Sequence, residues 1–178
     1  MLIVVTGGSG SGKSAYAEKK VLSFQDPVRY YVATMPCRDE EDHARVKRHQ
    51  MLRAGKGFCT IERTKDLKGL QLPKNGKARV SVLLECVSNL VANEMFDPDG
   101  AGRRAAEEMK HGIDSLLEQC DNLVVVTNEI FSDGVQYPEE TMAYLALLGE
   151  INRDLFARAD EVVEVVCGIP VTICGAGV

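Results

Sequence analysis

The chain has 178 residues, with 26 acidic against 21 basic side chains and a formal net charge of −5. That balance excludes a general electrostatic surface for nucleic acid or anionic membrane, so any anion must be held locally. The length fits a single domain over residues 1–178, and an apolar content of 45% suffices for a full core.

Six cysteines occur, at Cys37, Cys59, Cys86, Cys120, Cys167 and Cys174. None form a C-x-x-C pair, which argues against a structural zinc site, and several sit in apolar runs as small hydrophobes. A reducing, cytoplasmic setting without disulfides is expected. No apolar run approaches the length of a membrane span. The apolar start lacks a basic leader and reads as a first strand, not as a secretory signal.

Taken in order, LIVVT (2–6) is a β-branched run that predicts a buried strand, followed by the glycine-rich GGSGSGKS and a helix from Lys13 to Phe24. VRYYVAT (28–34) predicts a second strand, and Glu40 to Ala54 a charged, amphipathic helix. VSVLLE (80–85) is a third strand, leading into a short helix from Val87 to Phe96. Arg103 to Cys120 places Ala106, Met109, Ile113, Leu116 and Leu117 on one helical face. LVVVT (123–127) is the next strand. Glu139 to Ala159 repeats the helical spacing with Met142, Leu145, Leu148, Ile151 and Leu155. EVVEVV (161–166) and VTIC (171–174) close the chain as strands, and PKNGK (73–77) and DPDGAG (97–102) predict exposed loops. The strands are nearly continuous in apolar residues, as expected of strands covered on both faces. Their alternation with helices predicts an α/β fold of three layers, of the P-loop NTPase type, around a mainly parallel central sheet.

GGSGSGKS matches G-x-x-x-x-G-K-[ST] with Gly7, Gly12, Lys13 and Ser14. A chain that wraps a phosphate must turn successive N–H groups inward, in conformations that suit glycine. The following helix aims its positive end at the anion. Lys13 supplies a compact charge for the β- and γ-phosphates, and the Ser14 hydroxyl a ligand for Mg²⁺. The competing reading is a flexible Gly/Ser turn, but a strand before and a helix after favour the phosphate loop.

Glu85 closes an apolar strand, where an unpaired carboxylate would cost several kcal/mol. Beside Mg²⁺ or a sugar hydroxyl it is satisfied; turned to solvent it is a plain strand end. TNE (127–129) follows LVVVT in the same way, and Asn128 and Glu129 there can orient substrate or water. In DEEDHARVKRHQMLRAGKGF (39–58), His43 and His49 are six apart and do not share a helix face. Arg45, Lys47, Arg48, Arg53 and Lys56 make a basic cluster. It is either a solvated helix or a histidine nucleophile set among phosphate-binding cations. A histidine of ordinary pKa, ~6.5, is mostly neutral at pH 7.5 and attacks phosphorus without a separate base.

Taken together, VTGGSGSGKS (5–14), YVAT (31–34), DEEDHARVKRHQ (39–50), LLEC (83–86), VVVTNE (124–129) and INRDLFARADEVVEVVCGIPV (151–171) resemble the bifunctional adenosylcobinamide kinase / adenosylcobinamide-phosphate guanylyltransferase family of cobalamin biosynthesis. The resemblance spans nearly the whole chain. It departs at RAGKGF (53–58), which lacks the family's Pro and Trp, and at QYPEE (136–140), which is one residue longer. The resemblance implies phosphorylation of adenosylcobinamide from ATP or GTP, then transfer of GMP from GTP through a guanylylated histidine to adenosylcobinamide phosphate. The implied nucleophile is His49. The implied nucleotide contacts are Gly7, Gly8, Ser9, Gly10, Ser11, Gly12, Lys13 and Ser14, then Ala33, Thr34 and Met35, then Gln50, Met51, Leu52 and Arg53, with Glu62 and Glu85. Ser14 and Glu85 are the metal-side groups for Mg²⁺, and a homo-oligomer is implied. Two alternatives stand beside it: a P-loop small-molecule kinase without guanylyl transfer, and a non-enzymatic GTP-binding switch.

Overall fold

The computed structural model of the chain describes residues 1–37, 40, 47, 51 and 54–175. The strands among them are β1 (Leu2–Thr6), β2 (Val28–Ala33), β3 (Cys59–Glu62), β4 (Val80–Glu85), β5 (Asn122–Val126), β6 (Glu161–Val166) and β7 (Ile169–Gly175). The α-helices lying wholly among them are α1 (Lys13–Ser23), α2 (Val87–Phe96), α3 (Ala105–Gln119) and α4 (Glu139–Arg158). The strands form one sheet in the order β3-β2-β4-β5-β1-β6-β7. All neighbours run parallel except β7, which folds back antiparallel on β6.

The continuous apolar runs have the predicted cause. Successive side chains of a strand point to opposite faces, and here both faces are covered. Leu2 and Val4 of β1 join Val82, Leu84, Leu123 and Val125 in a cluster closed by residues of α2, α3 and α4. Ile3 and Val5 join Leu83, Val124, Val126 and Val163 on the other face, closed by Ala17 and Val21 of α1. The result is the expected three-layer arrangement.

The sequence reading misses β3. CTIE is short, and three of its four residues are exposed at the sheet edge, so it carries no buried apolar run. Strand β7 starts at Ile169, two residues before VTIC, because the Cys167–Gly168 turn reverses the chain earlier. Within the predicted helix over 40–54, Glu40, Lys47 and Met51 are helical and exposed, and Ala54 lies in a turn. His43, His49, Gln50, Leu52 and Arg53 lie outside the described residues. The cysteines are all free, and among the described residues no helix is long and apolar enough to cross a membrane.

At the amino ends of the strands, Asp26 is 3% exposed and serves as a polar hub. Its Oδ2 accepts from Ser81 Oγ at 2.5 Å and from Asn122 Nδ2 at 2.7 Å, while Arg79 Nε lies 3.1 Å from Oδ1. Burial alone would raise its pKa. The two hydrogen bonds and the Arg79 and Arg29 charges outweigh burial and hold it below the usual carboxylate range.

Candidate nucleotide site

The parallel register brings Glu62, Ala33, Glu85 and Val126 into one row across β3, β2, β4 and β5. Carboxyl ends of parallel strands form the ligand crevice of such folds, and the predicted site residues outside 38–53 collect along that edge.

The glycine loop leaves β1 at Thr6 and enters α1 at Lys13. Gly7 has φ +150°, and a Cβ there would lie 2.5 Å from the Val165 carbonyl oxygen and 2.7 Å from Ser11 Oγ. Gly12 caps α1 with φ +93°, and a Cβ there would make ordinary contact with Gly168, 3.4 Å away. Gly7 thus needs glycine for conformation and for space, and Gly12 for conformation. Gly8, Ser9 and Gly10 form the outer bend, with Ser9 and Gly10 exposed. Lys13 Nζ donates to the Gly8 carbonyl at 3.0 Å, so the ammonium curls over the loop that precedes it. Burial lowers its pKa, with the nearby Cys86 and Glu85 pulling the other way.

Ser14, on the first turn of α1, donates its hydroxyl to Glu85 Oε1, and Tyr31 Oη donates to Glu85 Oε2 at 3.0 Å. Glu85 is therefore neither turned to solvent nor unpaired. A hydroxyl and a carboxylate of this kind are hard oxygen donors, which suits Mg²⁺. Phe58 packs edge-on against Tyr31, with ring centroids 6.3 Å apart. Lys56 pairs with Glu18 of α1, whose side chain is 6% exposed. Through Lys56 and Phe58, the chain leaving the basic segment is fixed to the helix and strand that carry Ser14 and Tyr31.

Thr34 is fully buried and its hydroxyl is engaged by the fold: Oγ1 donates to the Cys86 carbonyl at 2.8 Å and accepts from Cys86 N at 2.6 Å. Ala33 and Met35, on either side, are half-buried at the crevice, and Glu62 and Met51 are exposed. Burial pushes the Cys86 thiol up, which removes thiolate chemistry near neutral pH.

The TNE stretch crosses the same edge. Thr127 Oγ1 donates to Asn152 Oδ1 at 2.7 Å, Asn128 Nδ2 donates to Ser88 Oγ at 2.5 Å, and Glu129 N donates to the Gly7 carbonyl at 3.1 Å. A brace from the far end of the chain has no counterpart among the sequence-based expectations. Gly168 N donates to the Ser11 carbonyl at 2.8 Å, and Val165 closes the space beside Gly7. The role of Tyr31 and the pairing of Lys56, expected only as part of the basic cluster, with Glu18 also escaped the sequence reading, since they come from contacts 54 and 38 residues apart.

A glycine loop closed by a helix N-terminus, its lysine, and a Ser–Glu pair at the carboxyl edge of a parallel sheet define a P-loop NTPase-type α/β protein. Solved structures agree on the fold. An ATPase from the type III secretion system of pathogenic bacteria superposes with a TM-score of 0.57 at 10% identity, over 96% of this chain and 56% of that one. The flagellar accessory protein FlaH from Methanocaldococcus jannaschii gives a TM-score of 0.50 at 11% identity, over 98% of this chain and 78% of that one.

Sequence likeness goes further. The family model described as "Cobinamide kinase / cobinamide phosphate guanyltransferase" matches residues 3–173. The bifunctional adenosylcobalamin biosynthesis protein CobU of Escherichia coli K12 is 36% identical over 97% of this chain and 99% of its own length. The protein of the same name from Salmonella typhimurium LT2 is 34% identical over the same shares. The chain belongs to the cobinamide kinase / cobinamide phosphate guanyltransferase family, a family of transferases.

Proposed function

We propose that the chain phosphorylates adenosylcobinamide from a nucleoside triphosphate and then transfers GMP from GTP to adenosylcobinamide phosphate, giving adenosylcobinamide-GDP. The observation that carries the reading is the Ser14–Glu85 pair at the mouth of the glycine loop in a chain of this family.

The loop N–H groups and the start of α1 bind the phosphates, and Lys13 neutralises charge that builds on the β- and γ-phosphates. Burial lowers its pKa, and the neighbouring Cys86 and Glu85 act in the opposite direction. Ser14 and Glu85 would hold Mg²⁺, which when bound neutralises phosphate charge. Tyr31 orients Glu85 through its second oxygen. In the kinase step the acceptor hydroxyl oxygen bonds to the γ-phosphorus while the bond from that phosphorus to the β–γ bridging oxygen breaks; the electron pair leaves on the nucleoside diphosphate and the hydroxyl proton is released to water.

In the second reaction a nitrogen of neutral His49 bonds to the α-phosphorus of GTP and pyrophosphate departs. An oxygen of adenosylcobinamide phosphate then displaces the imidazole. Two in-line steps replace one displacement between two anions. The arginines and lysines beside His49 in sequence offset the charge of the transferring group.

The test is product analysis by liquid chromatography and mass spectrometry, with purified protein, Mg²⁺, adenosylcobinamide and either ATP or GTP. Adenosylcobinamide phosphate is expected, and with GTP also adenosylcobinamide-GDP and pyrophosphate. Phosphorylation without the guanylylated product would reduce the protein to a kinase. Nucleotide binding without either product would leave a switch.

A further inference from the structure

On the α4 side of the glycine loop the structure holds an open cavity of about 630 Å³, lined by residues of the 128–135 loop and of α4. Thr6, at the end of β1, and Glu164 of β6 line it as well. We propose that this cavity binds the corrinoid acceptor, a claim that rests on the cobinamide kinase reading above and adds where its second substrate sits.

Position is the first argument. The acceptor hydroxyl must meet a γ-phosphate held by the glycine loop, so its site must adjoin that loop. Thr6 is the last residue of β1 before the loop, and Glu129, which lines the cavity, donates its N–H to the Gly7 carbonyl. The cavity and the loop thus share a wall.

Surface chemistry is the second. Phe131, Met142 and Ile173 are 44%, 48% and 52% exposed and face the cavity together with Ile130, Leu145 and Phe156. An apolar surface of this extent fits a macrocycle edge. The charged groups lining it are Glu129, Asp133 and Glu164 against Arg153 alone. A net negative lining repels a nucleoside triphosphate, which keeps the nucleotide on the glycine loop. It accepts a cobalt(III) corrin, which carries positive charge at the metal and uncharged amide arms that hydrogen-bond to carboxylates and to Asn128 and Asn152.

The third argument is rigidity. Asn152 on α4 accepts from Thr127 Oγ1 at 2.7 Å and is 6% exposed, which ties the α4 wall to the end of β5. A site fixed in this way loses little entropy on binding.

Ala146 is exposed on the cavity face of α4, so Ala146→Trp fills the cavity without disturbing the core. The experiment measures adenosylcobinamide binding by equilibrium dialysis with visible absorbance, for wild type, Ala146→Trp and the conservative Ala146→Ser. GTP binding, thermal midpoint, molar mass by sedimentation and covalent labelling by α-phosphate-labelled GTP are read in parallel. The expected result is at least a tenfold weaker corrinoid Kd for Ala146→Trp, normal binding for Ala146→Ser, and unchanged nucleotide binding and labelling in both. A corrinoid Kd within twofold of wild type for Ala146→Trp would overturn the proposal. A change in molar mass with corrinoid binding unchanged would overturn it in favour of a face between copies of the chain. Wild-type protein that neither binds nor phosphorylates adenosylcobinamide would fail the activity reading itself, before any variant is compared.

Discussion

Substituting Gly7→Ala tests whether the C-terminal hairpin holds the glycine loop in shape. The new Cβ would sit 2.5 Å from the Val165 carbonyl oxygen, a backbone atom that cannot rotate away. Restoring an ordinary contact of 3.4 Å requires the loop and hairpin to part by about 0.9 Å. The φ of +150° adds strain for any side chain. Overpacking and strain together cost about 2–5 kcal/mol. In a protein of this size that lowers the thermal midpoint by roughly 5–15 °C. A phosphate cradle displaced by nearly an ångström also loses about 10²-fold in phosphoryl transfer. Differential scanning fluorimetry and a steady-state kinase assay read the two effects. Gly8→Ala is the control, since no atom lies within 4 Å of its added Cβ and its φ lies outside the glycine range. Gly8 lies in the phosphate loop itself, so the comparison that decides is stability: a thermal midpoint for Gly7→Ala equal to that of Gly8→Ala would refute the bracing argument.

Two further outcomes follow from buried charges. Lys56→Met leaves the Glu18 carboxylate buried and unpaired, and urea unfolding should show a loss of about 1–3 kcal/mol, discounted because Lys56 is itself partly exposed; Glu18→Gln in the same chain should restore most of it. Asp26 has a depressed folded pKa, so its contribution is fully present above the unfolded value near 3.9 and fades as pH falls through the lower folded value. Asp26→Asn should therefore be destabilising at pH 7 and progressively less so below about pH 4, when unfolding is measured across that range. A stability gap that stayed constant down to pH 2 would contradict the assigned hydrogen bonds.

The sequence disclosed those parts of the fold whose residues report a local environment. LIVVT, VSVLLE and LVVVT are apolar at nearly every position because both faces of their strands are buried, and each appears as a strand within a residue of its predicted place. The glycine loop was legible because its backbone conformation restricts residue type at fixed positions. Glu85 stood out as an acid ending an apolar strand, and its pairing with Ser14 and Tyr31 gives the reason. Strand β3 was hidden because an exposed edge leaves no pattern. The hairpin behind Gly7 and the Lys56–Glu18 tie were hidden for a different cause. Each depends on which distant residue the fold delivers: Val165 is one apolar residue of a strand, and the basic cluster around Lys56 does not point to Glu18.

The most direct measurement uses purified protein with Mg²⁺ and GTP labelled at the α-phosphate, followed by denaturing electrophoresis of wild type and His49→Ala. A covalent label is expected on the wild type, stable in base and lost in acid as a phosphoramidate is, absent from His49→Ala, and discharged by adenosylcobinamide phosphate. An unlabelled wild type that still binds GTP, or a His49→Ala variant that labels as well as wild type, would contradict this expectation.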